Sequence, residues 1–141
     1  MPPFASILLS VLLIAAAQPD GATATATVNR VIDGDTLDAQ LNGVRTPVGL
    51  LGAQAPALNA ACGAEAAARL TELADNTVVL QSDPAAPGLD ERRRVPFYAF
   101  TQDGVSIDET LISEGLAHAR GDTFAASEAD ARDNARGCLW S

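Results

Sequence analysis

Two acids separated by one glycine, Asp33 and Asp35 in "VIDGDTL" (Val31–Leu37), are the first residues of the chain placed to do chemistry together. Two carboxylates this close concentrate negative charge on one turn. Farther along, the triplet Arg92–Arg94 is the one basic patch of an otherwise acidic chain. Between them lies "VGLLGAQAPALN" (Val48–Asn59), which reads like the second half of the same site but contains no acid. Plainer readings stand beside these. Aspartates flanking a glycine are common turn formers, and an arginine run next to Asp90 and Glu91 is ordinary as a solvated loop that balances them. The single histidine, His118, has no partner at metal-ligand spacing and is expected at the surface or a helix end.

The elements that must position these residues are legible from pattern. Alternating small, β-branched and apolar residues in "TATATVNRVI" and "TLDAQL" predict two strands joined by the turn "DGD", with Gly34 supplying a positive φ. "TPVGLLG" follows as a third strand after the Asn42–Gly43 turn. "CGAEAAARLTELAD" (Cys62–Asp75) places Ala66, Leu70 and Leu73 at helical spacing and predicts the first helix. "TVVLQS" and "RVPFYAFT" read as the fourth and fifth strands, although Pro96 cannot donate to a ladder and belongs at an edge or bulge. "SIDETLISEGLAHA" opens with Ser106 as N-cap and Glu109 at the capping-box position, turning Ile107, Leu111 and Leu116 toward a core. "TFAASEADARDNARG" reads as a last helix stopping at Gly137. Three strands, a helix, two strands and then helices is the order of an α+β fold, a five-stranded OB-type barrel with about three helices.

The whole chain sets the setting. Its 141 residues, 48% hydrophobic and 19% charged, fit one folded domain rather than a disordered polyelectrolyte. The apolar run "FASILLSVLLIAAA" (Phe4–Ala17) is expected to be a secretory signal, although no Lys or Arg precedes Arg30. The run is shorter than the ~20 residues that span a bilayer, so no stable membrane span is expected once the signal is removed. The division expected is a signal and flexible N-terminus over 1–25 and one domain over 26–141, in a secreted or periplasmic protein. Cys62 and Cys138 are then expected to pair, the alternative being two free thiols with one buried beside Trp140. A formal net charge of −9 opposes polyanions, so nucleic acid is a disfavoured partner unless the Arg92–Arg94 patch overrides the field.

Taken together, "VIDGDTL", "LLGAQAP", "CGAEAAARL", "DGVSIDETLISEGLAHA" and "ARGCLW" resemble, in order and spacing, the staphylococcal-nuclease or thermonuclease-like family over about residues 26–140. The resemblance implies calcium-dependent hydrolysis of a phosphodiester, with two metal carboxylates, a carboxylate general base and two phosphate-bracing arginines. Carried over residue by residue, Asp35 falls on a calcium-ligating aspartate and Arg94 on one of the arginines, with Asp33 adding negative field. Gly49 stands where the other arginine is expected, Gln54 where the second metal carboxylate is expected, and Ala57 where the general base is expected. Arg45 lies four residues from Gly49 along an extended strand, ~13 Å away, and cannot substitute. Glu65 reaches the site only by a rearrangement that the sequence does not support.

Loss of a general base commonly costs ~10² to 10⁴ in rate, and loss of an arginine clamp ~10³ or more. With three of the five roles vacant, the expectation is a thermonuclease-like protein that has lost most nuclease activity and serves as a noncatalytic binding module. The ligand or protein partner is unknown, and no cofactor is expected beyond calcium if activity persists. The competing expectation is a weak or altered calcium-dependent nuclease working through Asp35 and Arg94. Nucleic-acid binding without hydrolysis, through Arg92–Arg94, is the third.

Overall fold

The first strand explains how the sheet closes. β1 (Thr23–Asp33) pairs antiparallel with β5 (Thr77–Gln81) through Thr23–Thr27, and with β2 (Thr36–Leu41) through Thr27–Asp33. Register shifts at Val28/Arg30 and Val31/Asp33 bend it between the two partners, as bulges do. The computed structural model describes residues 21–86 and 88–141, and the expected signal over Phe4–Ala17 lies outside the described residues. β1 starts at Thr23, ahead of the domain start expected at residue 26. β3 (Val44–Leu50) continues the meander from β2 through Asn42 and Gly43, both at positive φ (51° and 77°), the geometry an Asn-Gly hairpin turn requires. β6 (Val95–Phe100) then pairs parallel with β3 and antiparallel with β5. The result is a closed five-stranded barrel in the order β1-β2-β3-β6-β5, the expected OB-type architecture.

Pro96 is accommodated at the entry to β6. It pairs only with Gly49 on the β3 side, and the antiparallel ladder with β5 begins later, at Tyr98. A missing N–H is therefore harmless there. Alternation along the strands sends Leu37, Ala39, Val48, Leu50, Val78, Leu80 and Ala99 into the barrel, all at 1% exposure or less. α1 (Gly63–Ala74) lays Ala66, Leu70 and Ala74 against this core, and α2 (Ile107–Ser113) adds Ile107, Leu111 and Ile112. Ser106 caps α2 as expected, its hydroxyl accepting from the Glu109 amide at 3.1 Å.

Three local expectations are corrected. Gly34 is not at positive φ. A glycine is needed there because a Cβ would come within 2.5 Å of the Ala66 Cβ and 2.7 Å of the Ala55 Cβ, so the hairpin packs directly on α1. The α2 helix ends at Ser113, where Gly115 at φ 72° turns the chain. His118 and Ala119 instead form β7, a two-residue strand paired with β4 (Ala53–Gln54). The last helix is likewise broken: α3 (Ala125–Asp133) stops before Ala135 at φ 51°, and a separate turn, α4 (Gly137–Trp140), follows.

Cys62, at the entry to α1, is bonded to Cys138 in α4, with their α-carbons 5.6 Å apart. The bridge ties the C-terminus across the molecule and brings Trp140 edge-on to His118, with ring centroids 5.4 Å apart. Among the described residues no helix is long and apolar enough to cross a membrane.

Candidate functional site

The β1–β2 turn carries both acids into a nearly closed environment. Asp33 and Asp35 are 7% and 1% exposed. The Asp33 carboxylate accepts the Asp35 backbone N–H at 3.1 Å, a local bond that fixes the turn. Asp35 reaches across to the segment after β4, where its Oδ2 accepts the Ala55 N–H at 2.9 Å. Sequence reasoning thus placed the acidic half correctly against the "GAQAP" half. The bond is made by backbone, so it survives whichever side chains stand at 54 and 57.

The arginine triplet is only in part a solvated loop, with Arg92 and Arg93 exposed and Arg94 turned inward. Arg94 is 3% exposed. Its Nη1 donates to Asp35 Oδ1 at 3.1 Å and to Thr36 Oγ1 at 2.8 Å, while its Nε donates to Asp90 Oδ2 at 2.8 Å. Asp90 in turn accepts the backbone N–H groups of Arg92 and Arg94 on its other oxygen, each at 2.9 Å. Arg92, half exposed, donates to Asp33 Oδ2 at 3.0 Å. Arg93 alone projects outward, on a backbone at φ 63°. Asp90, assigned no site role from the sequence, is the residue that organises the loop; its signal was its position four residues before Arg94, an i,i+4 pair that needed no helix.

Of the positions left vacant by residue type, only the space at Gly49 is filled by this arrangement. At Gly49, a Cβ would lie 2.6 Å from Arg94 Nε and 3.0 Å from Asp90 Oδ2. The Arg94 guanidinium therefore fills the space into which a side chain at 49 would grow. Gln54 is exposed on β4 opposite His118, and Ala57 is exposed in the following turn, its carbonyl packed against Gly63. Arg45 stays outside the site, bound to Asp38 at 2.7 Å. Glu65 stands beside the disulfide, 3.2 Å from the Cys138 sulfur; both sulfurs are consumed by their mutual bond and offer no thiolate to a metal.

The electrostatics follow from burial and pairing. Burial raises the Asp35 carboxyl above its ordinary value, and the neighbouring Asp33 raises it further against the pull of the Ala55 amide and Arg94. Burial also pushes Asp33 and Asp90 upward, but hydrogen bonds outweigh it in both: from Asp35, Arg92 and Thr36 for Asp33, and from Arg94 for Asp90. Three carboxylates face two guanidiniums, so the cluster nearly neutralises itself. Calcium takes six to eight oxygens free to face the ion. Here all four oxygens of Asp33 and Asp35 already accept N–H or O–H groups, and two arginines stand against them. This donor set does not fit calcium.

A further buried acid, overlooked in the sequence, braces the site from behind. Asp108, fully buried in the first turn of α2, accepts the Gly52 N–H and the Ala99 N–H, both at 2.9 Å. It joins α2 to the end of β3 and to β6. Burial raises its carboxyl to about 6 against the effect of those two amides. In comparisons with known proteins, no family model and no curated protein matches the chain.

Proposed function

We propose that the chain is an exported, noncatalytic binding protein of thermonuclease-like ancestry, in which the catalytic cluster has become a structural ion-pair network. The observation that carries this reading is the Arg94 guanidinium, buried between Asp35 and Asp90 and lying over Gly49. An arginine so placed commits its Nε and Nη1 donors to Asp90, Asp35 and Thr36 rather than to a phosphate, and it neutralises the acid that would otherwise hold a metal. Neither Gln54 nor Ala57 supplies a carboxylate, so no general base stands at the expected place. The OB-type barrel and the ordered motifs support the ancestry, and the Cys62–Cys138 bridge suits an oxidising compartment outside the cytoplasm.

The reading is tested with the purified protein, single-stranded DNA and RNA, each with and without calcium, alongside a calorimetric calcium titration. No cleavage and no saturable calcium heat are expected. Calcium-dependent cleavage that disappears in Asp35→Ala would establish the nuclease reading in its place. The triple variant Gly49→Arg, Gln54→Asp, Ala57→Glu is a poor restoration by itself, because the new arginine at 49 displaces Arg94 from Asp35 and Asp90.

A further inference from the structure

The sulfurs of the Cys62–Cys138 bridge belong to a cluster of three residues. One sulfur from each cysteine and one carboxylate oxygen of Glu65 all lie within 4.8 Å of one another. Cys62 stands just before α1 at φ 69°, and Glu65 follows three residues later, on the same face one turn along. Cys138 comes from the opposite direction, in α4. Its sulfur is 3.2 Å from the Glu65 carboxylate, a contact made without a proton while the bridge is intact. Arg69, one turn farther along α1, is committed to Glu114 at 2.8 Å.

The two turns that carry these groups are seated by more than the bridge. At the start of α1, no Cβ fits at Gly63 against the Ala57 carbonyl. α4 sits backbone to backbone on the turn that ends α2, with no room for a Cβ at Gly137 against the Glu114 carbonyl. The Leu139 N–H donates to the Gly115 carbonyl at 3.0 Å. The docked position of α4 is thus a seat to which it can return when the sulfurs are no longer joined.

A tetrahedral zinc ion takes sulfur at about 2.3 Å and carboxylate oxygen at about 2.1 Å, which sets its ligand atoms ~3.5 to 3.8 Å apart. The α-carbons of Cys62 and Cys138 are 5.6 Å apart and allow that spacing once the sulfurs are unbonded. From this geometry we propose that the reduced protein binds a zinc ion through Cys62, Cys138 and Glu65. The step that opens the site is thiol–disulfide exchange with a dithiol reductant. The protein's S–S bond breaks as the dithiol closes its own, so two electrons and two protons pass to the cysteines. Zinc then displaces both thiol protons and is held by two thiolates and a carboxylate. Water takes the fourth position, and the thiolates select zinc over calcium or magnesium. Disulfide and zinc are alternative clamps on the same C-terminus. The proposal is independent of thermonuclease ancestry, and the calcium and cleavage assays neither support nor remove it.

The test is a cobalt and zinc titration of the purified protein, oxidised and after anaerobic reduction with a phosphine. Cobalt should give the reduced protein a sulfur-to-metal charge-transfer band and the visible bands of tetrahedral coordination, and give the oxidised protein neither. Competition by zinc should return an affinity at least about 100-fold tighter for the reduced protein than for the oxidised one. Glu65→Gln, an exposed change that leaves both cysteines in place, should weaken zinc by at least about tenfold. Trp140 emission of the reduced, zinc-loaded protein should match that of the oxidised protein, because α4 is back in its seat. Absence of the charge-transfer band overturns the proposal. So does equal affinity in the two redox states, a mismatch in emission, or a Glu65→Gln protein that binds zinc as tightly as the unaltered chain.

Discussion

Arg94 and Gly49 share one volume: the space a Cβ on Gly49 would enter lies 2.6 Å from the Arg94 Nε. The missing side chain at one position and the buried guanidinium at the other are a single structural fact. Gly49→Ala should therefore lower stability by about 1 to 3 kcal/mol in urea unfolding, since the new methyl group cannot fit until Arg94 loosens from Asp90. In Arg94→Ala the same Gly49→Ala change should cost little. A double-mutant cycle checks this, and additive costs would show that the two residues are not coupled.

Removing the guanidinium alone should be worse. Arg94→Met leaves Asp35 and Asp90 without their shared partner, and stranding buried charge in this way commonly costs ~3 to 5 kcal/mol. Urea unfolding at neutral pH gives the number. Loss of less than about 1 kcal/mol would mean that the cluster is solvated enough to do without Arg94.

The buried acid behind the site gives a pH signature. A carboxyl raised from 3.8 to about 6 on folding binds its proton more tightly in the folded state. The contribution of Asp108 to stability therefore falls as pH rises from about 4 to about 6 and is level above that. Asp35, also raised, acts in the same direction; Asp33 and Asp90, depressed, contribute stability that is lost below the ordinary aspartate range. A ¹³C carboxyl titration should give Asp108 a midpoint near 6. Asp108→Ala, which strands the Gly52 and Ala99 amides, should cost about 1 to 3 kcal/mol per amide.

Reduction of the Cys62–Cys138 bridge should release the C-terminal turn. The bridge closes a separation of 76 residues, for which chain entropy gives ~4 kcal/mol of stabilisation. Trp140 sits against His118 only while α4 is docked, so its emission should shift on treatment with a thiol reductant. Unchanged emission and urea midpoint after complete reduction would show that the C-terminus is held by its other contacts, including the Leu139 N–H to Gly115 bond.

If the chain is exported, its processing site must spare the barrel. Thr23–Thr27 are the residues of β1 that pair with β5, and Ser82 donates to the Ala22 carbonyl. Cleavage after Ala17 leaves this ladder whole, whereas cleavage inside "GATATA" removes part of it. Mass spectrometry of the mature protein should find an N-terminus before Thr23, and a chain starting at Val28 should fail to fold.

Much of this molecule was legible from local pattern. The period-two alternation of the strands, the Asn42–Gly43 turn, the Ser106 cap and the apolar spacing of Ala66 and Leu70 each depend on residues within a few positions of one another, and each appears as expected. The order of strands and helices was enough to indicate the barrel.

What only the tertiary structure decided is where the charges go. Asp33 and Arg92 are 59 residues apart, and Asp35 and Arg94 likewise, so nothing local says that each acid closes on an arginine. The burial of Arg94 depends on barrel closure, which brings the start of β6 beside Gly49 and beneath the β1–β2 turn. Desolvation and pairing are properties of the space around a side chain. The arginine triplet is a solvated run in the sequence; once β3 and β6 pair, Arg94 is buried between Asp35 and Asp90, while Arg92 stays half exposed and Arg93 points outward.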